Sequence, residues 1–318
     1  MTPVSYRQGQ SGTPKQKFLF GCHAGSEKDA SRALLLVESI RTFAGEYSNL
    51  PFLLMLPAGQ DQLTEEQQAQ INRLEVSLHS FELDPAAAKF PFAGKVVASA
   101  AAESLSAGNA SQLVWMDNGT LVVNPLDDLV LYPAFRLGYR PVDHLLIGSP
   151  YEKPIDLFWS YIFEFCGVSE EDVYPMVTST DQVKMRPYIN AGMLVVRPED
   201  NLLQRWRDTF MAIYQDRQML DFYQMNQLYE IFIHQAVLAG CIMTGYQQQE
   251  IFELPHLVNY ALHMHNQYPA YLQPSAMNQL VSLRYESFFS KSGWPNILQV
   301  EHPLKKWLEE RIDYLSAL

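Results

Sequence analysis

The sequence predicts an α/β protein, a mostly parallel sheet flanked by helices and followed by a looser C-terminal half. Strand-length and helix-length patterns alternate over the first 117 residues, the signature of parallel strands joined by crossover helices. The strand runs are continuously apolar rather than alternating, as strands covered on both faces must be. No gap between them exceeds an ordinary loop.

The run KFLFGC at 17–22 is the first strand, apolar and closed by small residues. Ser26, Glu27, Lys28 and Asp29 then give a helix-capping signal. Ala33, Leu36, Val37, Ile40 and Phe43 follow at spacings of three and four, one face of a helix. PFLLML at 51–56 is the second strand, broken by Pro57, Ala58 and Gly59. Thr64 to Gln67 is a capping box that opens a polar helix reaching Arg73. Leu74, Val76 and Leu78 alternate as a third strand, 95–107 is an alanine-rich helix, and LVWMD at 113–117 is a fourth strand. Beyond it the pattern predicts a turn and helix start at 124–128, a strand at 143–148 and a helix at 158–165. A strand at 188–196 is closed by Arg197 and Pro198, with helices at 199–214 and 229–239 after it. A late strand at 282–289 precedes a closing amphipathic helix at 304–318, with Leu304, Trp307, Leu308, Ile312 and Leu315 in phase. With no internal repeat and no clean linker, residues 17–318 read as a single domain and 1–16 as a flexible leader.

Composition narrows the function classes. Lys plus Arg number 23 and Asp plus Glu 35, a net charge of −12, which argues against a nucleic-acid partner because such proteins carry a basic face. Hydrophobic residues at 47% and charged residues at 18% suit a sizeable core, not a disordered chain. No apolar run approaches the roughly 20 residues that a membrane helix needs, and the N-terminal stretch lacks the apolar core of a secretory signal. Cys22, Cys166 and Cys241 are far apart in sequence and odd in number, which fits buried thiols in a reducing compartment. The expectation is a soluble, cytoplasmic protein with no membrane span.

Ligands of open parallel sheets bind beyond the carboxyl ends of the strands. Two segments lie there: Gly21, Cys22, His23, Ala24 and Gly25 after the first strand, and Asp117, Asn118 and Gly119 after the fourth. The first precedes a helix N-terminus, where backbone N–H groups favour an anion. A tight strand-to-helix turn explains the same residues, and neither a P-loop nor a Gly-X-Gly-X-X-Gly pattern is present. A carboxylate at the tip of a buried strand, as Asp117 is, can ligate a divalent cation that also holds a diphosphate. An Asx-turn is the plain alternative.

VWMDNGTLVVNPLDDL at 114–129 resembles the Asp-X-Asp segment of GT-A fold glycosyltransferases. The nearest likeness is glycosyltransferase family 8, in which a hydrophobic strand runs into Asp-X-Asp-Thr-Leu-Val and a Leu-Asp-Glu-Leu-like stretch. YINAGMLVV at 188–196 is similar to that family's Phe-Asn-Ala-Gly-Val-Leu-Leu, and HQAVL at 234–238 falls where the family has Asp-Gln-Asp-X-Leu. Order and spacing agree, and the likeness covers about 17–260. It implies a Rossmann-like GT-A sheet, with 17–123 as the nucleotide-sugar half and 124–318 as the acceptor half and closing helix. It implies a nucleotide-diphospho-sugar donor, most often a UDP-sugar, and an acceptor that it does not identify. Asp117 would meet the diphosphate through Mn²⁺ or Mg²⁺, or meet a ribose hydroxyl, with Asn118 and Gly119 completing that loop. Gly21, Cys22 and His23 would border base and ribose, and Asn190 and Ala191 would line the sugar pocket. Gln235, with His234 beside it, would sit near the anomeric carbon, and Lys95 is a candidate for the diphosphate. The plain alternatives are a solvated surface position for Lys95, a core hydrogen-bonding role for Asn190 and a place on a helix face for Gln235.

The departures from the family pattern bear on function. Gly119 stands where the second metal-binding Asp would be, and in an extended segment 117 and 119 share a side, so Asn118 does not substitute. His234 replaces the first Asp of Asp-Gln-Asp. Of the family's late His-X-X-Gly-X-X-Lys-Pro-Trp element only Gly293, Trp294 and Pro295 give an echo, with Lys291 or Lys305 for the lysine. His263 and His265 lie earlier and read as exposed loop residues. Two readings stay open, a GT-A glycosyltransferase and a protein of the same fold that binds nucleotide sugar or glycan without turnover. A nucleotidyltransferase would want Arg or Lys in the loop at 21–25, which has neither. Phe135, Tyr139, Tyr151, Phe158, Trp159 and Tyr161 are candidates for stacking on a sugar ring. The closing helix is a candidate surface for a homo-oligomer, although packing on its own core is the commoner fate of such a helix.

Overall fold

The continuous apolar run at the start of the chain folds as strand β1 (Phe18–His23), which sends Leu19 into one core and Phe18, Phe20 and Cys22 into another. The structure is a computed structural model and describes residues 18–59, 63–290 and 293–317. The predicted leader at 1–16 lies outside the described residues. Helix α1 (Glu27–Phe43) starts where its cap predicts, with Ser26 Oγ accepting from the Asp29 N–H at 3.1 Å. Strand β2 (Phe52–Pro57) follows, then α2 (Glu65–Arg73), opened by the Thr64–Gln67 capping box. Strand β3 (Val76–Phe81), helix α3 (Ala93–Ser106) and strand β4 (Gln112–Met116) complete the expected alternation. Strand β3 starts two residues later than its alternation suggests, because Leu74 caps α2 and Glu75 takes a left-handed φ of 54°.

The second half departs further from its pattern. Strands β5 (Thr120–Val122) and β6 (Leu137–Pro141) come before helix α4 (Leu157–Cys166). The run at 143–148, expected as a strand, is loop with Leu146 at φ 42°. A short hairpin, β7 (Met176–Val177) and β8 (Lys184–Met185), precedes β9 (Ile189–Val196). Helices α5 (Leu202–Ile213), α6 (Arg217–Met225) and α7 (Gln227–Gly245) follow, and α6 is an addition to the helices that the sequence pattern predicts. The chain ends with β10 (Ile251–Glu253), β11 (Tyr260–Ala261), β12 (Ser282–Arg284), α8 (Leu304–Glu309) and α9 (Ile312–Ala317). The late strand therefore stops at Arg284, and the closing helix is two short ones.

The seven-stranded sheet runs β10-β6-β9-β4-β1-β2-β3. Every neighbouring pair is parallel except those of β9, which lies antiparallel between β4 and β6. Helices α1 and α2 cover one face, and α3 to α7 the other. Because β9 inserts beside β4, the two expected halves interlock in one sheet. Helix α7 is long and apolar enough to cross a bilayer, yet it packs against α4, α5, α6 and β9 as the core helix of the broad face. A second sheet, β11-β12-β5, sets Arg284 opposite Thr120. Helix α8 spends its apolar side on that small sheet and α1: Leu304, Trp307 and Leu308 are buried, and Trp307 meets Phe43 edge-on.

Candidate functional site

A cleft of about 470 Å³ opens where β1, β2 and β4 end, the edge at which open parallel sheets bind ligands. His23, Pro57 and the Asp117–Gly119 loop form its floor. Asp29 and Arg32 on α1, Phe90, Phe92, Gly94 and Lys95 around the start of α3, Arg284 at the end of β12 and Glu286 just beyond it supply its walls.

Asp117 leaves the sheet in a turn, not in an extended segment. Its N–H donates to the Gly192 carbonyl at 2.8 Å, and its own carbonyl accepts from Thr120 N–H at 3.2 Å. The expectation that Asn118 points away from Asp117 and Gly119 therefore fails: all three line the cleft, and Asn118 Nδ2 donates to the His23 carbonyl at 3.2 Å. The Asp117 Oδ1 atom lies 2.6 Å from Lys95 Nζ. Lys95 is not a solvated lysine, since only 8% of its side chain is exposed against 35% for Asp117. Its ammonium also lies 5.7 Å from the centre of the Phe92 ring.

Gly192 lets two polar side chains converge. A Cβ there would stand 2.8 Å from Asn190 Oδ1 and 3.0 Å from Asp117 Oδ2. Asn190 Oδ1 accepts from the Gly192 N–H at 2.7 Å, so it has the predicted structural role and sits beside Asp117 as well. His23 projects between Gly25 and Gly94, whose missing side chains make room for its ring. Burial holds its imidazole neutral, with the pKa lowered to about 4. Arg284 reaches the cleft from β12 and is fixed from behind by an ion pair with Asp143, whose other oxygen accepts from Tyr268 at 2.9 Å.

Other predicted residues lie elsewhere. Gly21 belongs to the sheet, where its missing Cβ admits Trp115, 3.0 Å from the position that Cβ would take. Cys22 and Ala191 are buried in the two large cores, and burial pushes the Cys22 thiol well above its ordinary pKa. His234 is buried, stacks on Phe92 at 4.3 Å and lies 3.0 Å from the Ile231 carbonyl through Nδ1, so it stands behind the cleft wall. Gln235 is half-buried on α7 and does not line the cleft. Lys305 is a surface residue near Glu309, and Lys291 lies outside the described residues. His263 and His265 are not exposed: the first lies 3.5 Å from Glu286, and the second is buried against Tyr260. Tyr139, Phe158 and Trp159 are core residues, and Phe90 and Phe92 are the aromatic rings in the cleft. Arg32, Phe90, Phe92, Arg284 and Glu286 escaped sequence reasoning. Of these Arg32 alone had a local signal, one helical turn beyond Asp29 just after the β1 tip.

The donor set does not suit a resident divalent cation. Asp117 already holds an ammonium, Gly119 offers no oxygen side chain, and no three His, Cys, Asp or Glu side chains gather among the described residues.

The profile of the Rhodobacterales glycosyltransferase domain matches residues 24–242. No curated protein matches the chain. Among solved structures it is similar to the bifunctional glycosyltransferase WbbM in its apo form, at 13% identity and a TM-score of 0.48 over 90% of this chain and 47% of that one. It is also similar to the galactosyltransferase LgtC in complex with donor and acceptor sugar analogues, at 14% identity and 0.46 over 94% and 95%. A third is the glycosyltransferase GlyE of Streptococcus pneumoniae TIGR4, at 12% identity and 0.45 over 95% and 63%. The chain thus spans about half the length of the WbbM chain. The family match takes in Lys95, Asp117 and Asn190, and stops before Arg284. By that match, which covers more than half of the chain, the chain belongs to the Rhodobacterales glycosyltransferase domain family.

Proposed function

We propose that the protein transfers a sugar from a nucleotide-diphospho-sugar, with a UDP-sugar as the favoured donor. The observation that carries this reading is the Asp117–Lys95 pair in a cleft at the strand ends. A volume of about 470 Å³ falls within the range of small-molecule sites. In sugar transfer the leaving nucleoside diphosphate gains negative charge. Fixed positive groups beside it therefore favour the transition state over the ground state. Lys95, Arg284 and Arg32 line this cleft, and Pro57, Leu83 and Phe90 give it an apolar wall for a base. Asp117, with Asn190 beside it over Gly192, is an acceptor for ribose or sugar hydroxyls.

Titration calorimetry with UDP and GDP tests the reading. UDP is expected to bind, and Asp117→Asn to weaken it by about tenfold or more, the worth of a charged hydrogen bond. Failure of both nucleotides to bind overturns the proposal. Binding without release of UDP from any UDP-hexose would favour the protein that binds without turnover. The burial of His234 and the position of Gln235 outside the cleft support that second reading.

A further inference from the structure

Asp117 already carries a positive partner. Lys95 comes from the first turn of α3 and sets Nζ 2.6 Å from Asp117 Oδ1 with its stem buried, so the ammonium is held there and does not range through solvent. A dication bound to the same carboxylate would stand within a few ångströms of that ammonium and be repelled by it. Among the described residues no group of three His, Cys, Asp or Glu side chains gathers to offset that repulsion. Position 119 is glycine, and a Cβ there would meet nothing within 4 Å, so open space faces the cleft where a second ligand would project. The cleft's other carboxylates are engaged. Asp29 accepts from the Ser26 hydroxyl at 2.8 Å, and Glu286 lies 3.5 Å from His263 Nε2. A hard divalent cation bound through one carboxylate would depend on water and phosphate for its remaining ligands.

Positive groups converge on the same space. An ammonium has three N–H donors, and Asp117 takes one of those of Lys95. Arg284 enters from the far wall with its guanidinium braced by Asp143. Helix α3 begins after Phe92 with no side-chain cap; the Ala93 N–H donates to the Phe90 carbonyl at 3.2 Å, and the positive end of the helix dipole lies at Gly94 and Lys95, which line the cleft.

We infer that the Lys95 ammonium stands in for a divalent cation, holding Asp117 and offering its remaining hydrogens to the donor's diphosphate, so that nucleotide binding needs no metal. The inference rests on the nucleotide-sugar reading above. It makes Lys95 a binding residue in its own right.

Calorimetry with UDP on the full chain, in excess EDTA and in excess Mn²⁺, is the test. The expected dissociation constants agree within about twofold. Lys95→Gln is expected to lose about tenfold or more in both media, and Lys95→Arg, which keeps the charge, to lose less. Electron paramagnetic resonance of Mn²⁺ mixed with the protein alone is expected to show the free aquo ion only. Stoichiometric Mn²⁺ uptake, UDP binding that strengthens about tenfold or more with Mn²⁺, or undiminished UDP binding by Lys95→Gln would each overturn the inference. The wild-type comparison in the two media stands even if a variant does not fold. Binding that requires Mn²⁺ sinks the inference and leaves the nucleotide reading intact, whereas no binding of UDP or GDP in either medium sinks both.

Discussion

Gly119 and Gly192 flank the Asp117 carboxylate and leave room for different things. A methyl at Gly119 meets no atom within 4 Å, but one at Gly192 collides with Asn190 Oδ1 and Asp117 Oδ2. Gly119→Ala is expected to shift stability by no more than about 0.5 kcal/mol. Gly192→Ala should cost about 1–3 kcal/mol and weaken UDP binding by displacing Asp117 from Lys95; urea melts and calorimetry check both. Two buried groups pull the pH dependence of stability in opposite directions. Burial lowers His23 from 6.5 to about 4, so the unfolded chain takes a proton that the folded one refuses, and stability is lost as pH falls through that window. Burial raises Glu103 from 4.5 to about 7, although its carboxyl accepts from the Leu203 and Gln204 N–H groups. Its contribution is complete below 4.5 and lost as pH rises through 7. Glu103→Gln should therefore remove about 1–3 kcal/mol of the stability that the wild type loses between about pH 5 and pH 8. Parallel pH profiles of wild type and variant would refute this.

At the scale of elements, α4 and α7 cross closely. Cys166 and Cys241, far apart in sequence, meet there thiol to thiol, and a Cβ on Gly240 would lie 2.5 Å from Cys166 Sγ. Gly240→Ala should destabilise by about 1–3 kcal/mol. Cys166→Ala should relieve much of that loss, giving a coupling of about 0.5–3 kcal/mol in a double-mutant cycle. The same scale shows what was legible in the sequence. β1, β2 and β4 are contiguous apolar runs, and α1 and α2 carry their own caps, so local chemistry alone announces them. β6 reads LGYRP, and its Arg140 is buried only because Glu253, the Leu254 carbonyl and Ser179 receive it. No local pattern reveals such distant partners, and the more apolar run after β6 carries the stronger strand signal in the sequence. The cleft divides the same way. His23, Lys95 and Asp117 lie at strand tips or helix starts and were legible. Arg284 arrives by the pairing of β12 with β5, a contact between remote segments. Gln235 and His234 follow from likeness alone, and the packing of α7 sets His234 behind Phe92 and leaves Gln235 outside the cleft lining.

On the scale of the whole molecule, three cores share one scaffold: the two faces of the large sheet, and the small sheet closed by α8. The last is tied to the first helix, because Trp307 meets Phe43 and Arg311 makes a two-point ion pair with Glu38, both bonds at 3.0 Å. Trp307→Ala should cost about 3–5 kcal/mol while leaving UDP affinity unchanged at temperatures where the variant is folded; thermal melts and calorimetry separate the two effects. The strand that carries Arg284 leaves the ribosome after every strand of the large sheet. A nascent chain owns every strand of the large sheet before it owns that guanidinium. Any molecule that grips Arg284 can shield from proteases only chains already extended past β12, so protection by such a molecule begins after the large sheet has been synthesised.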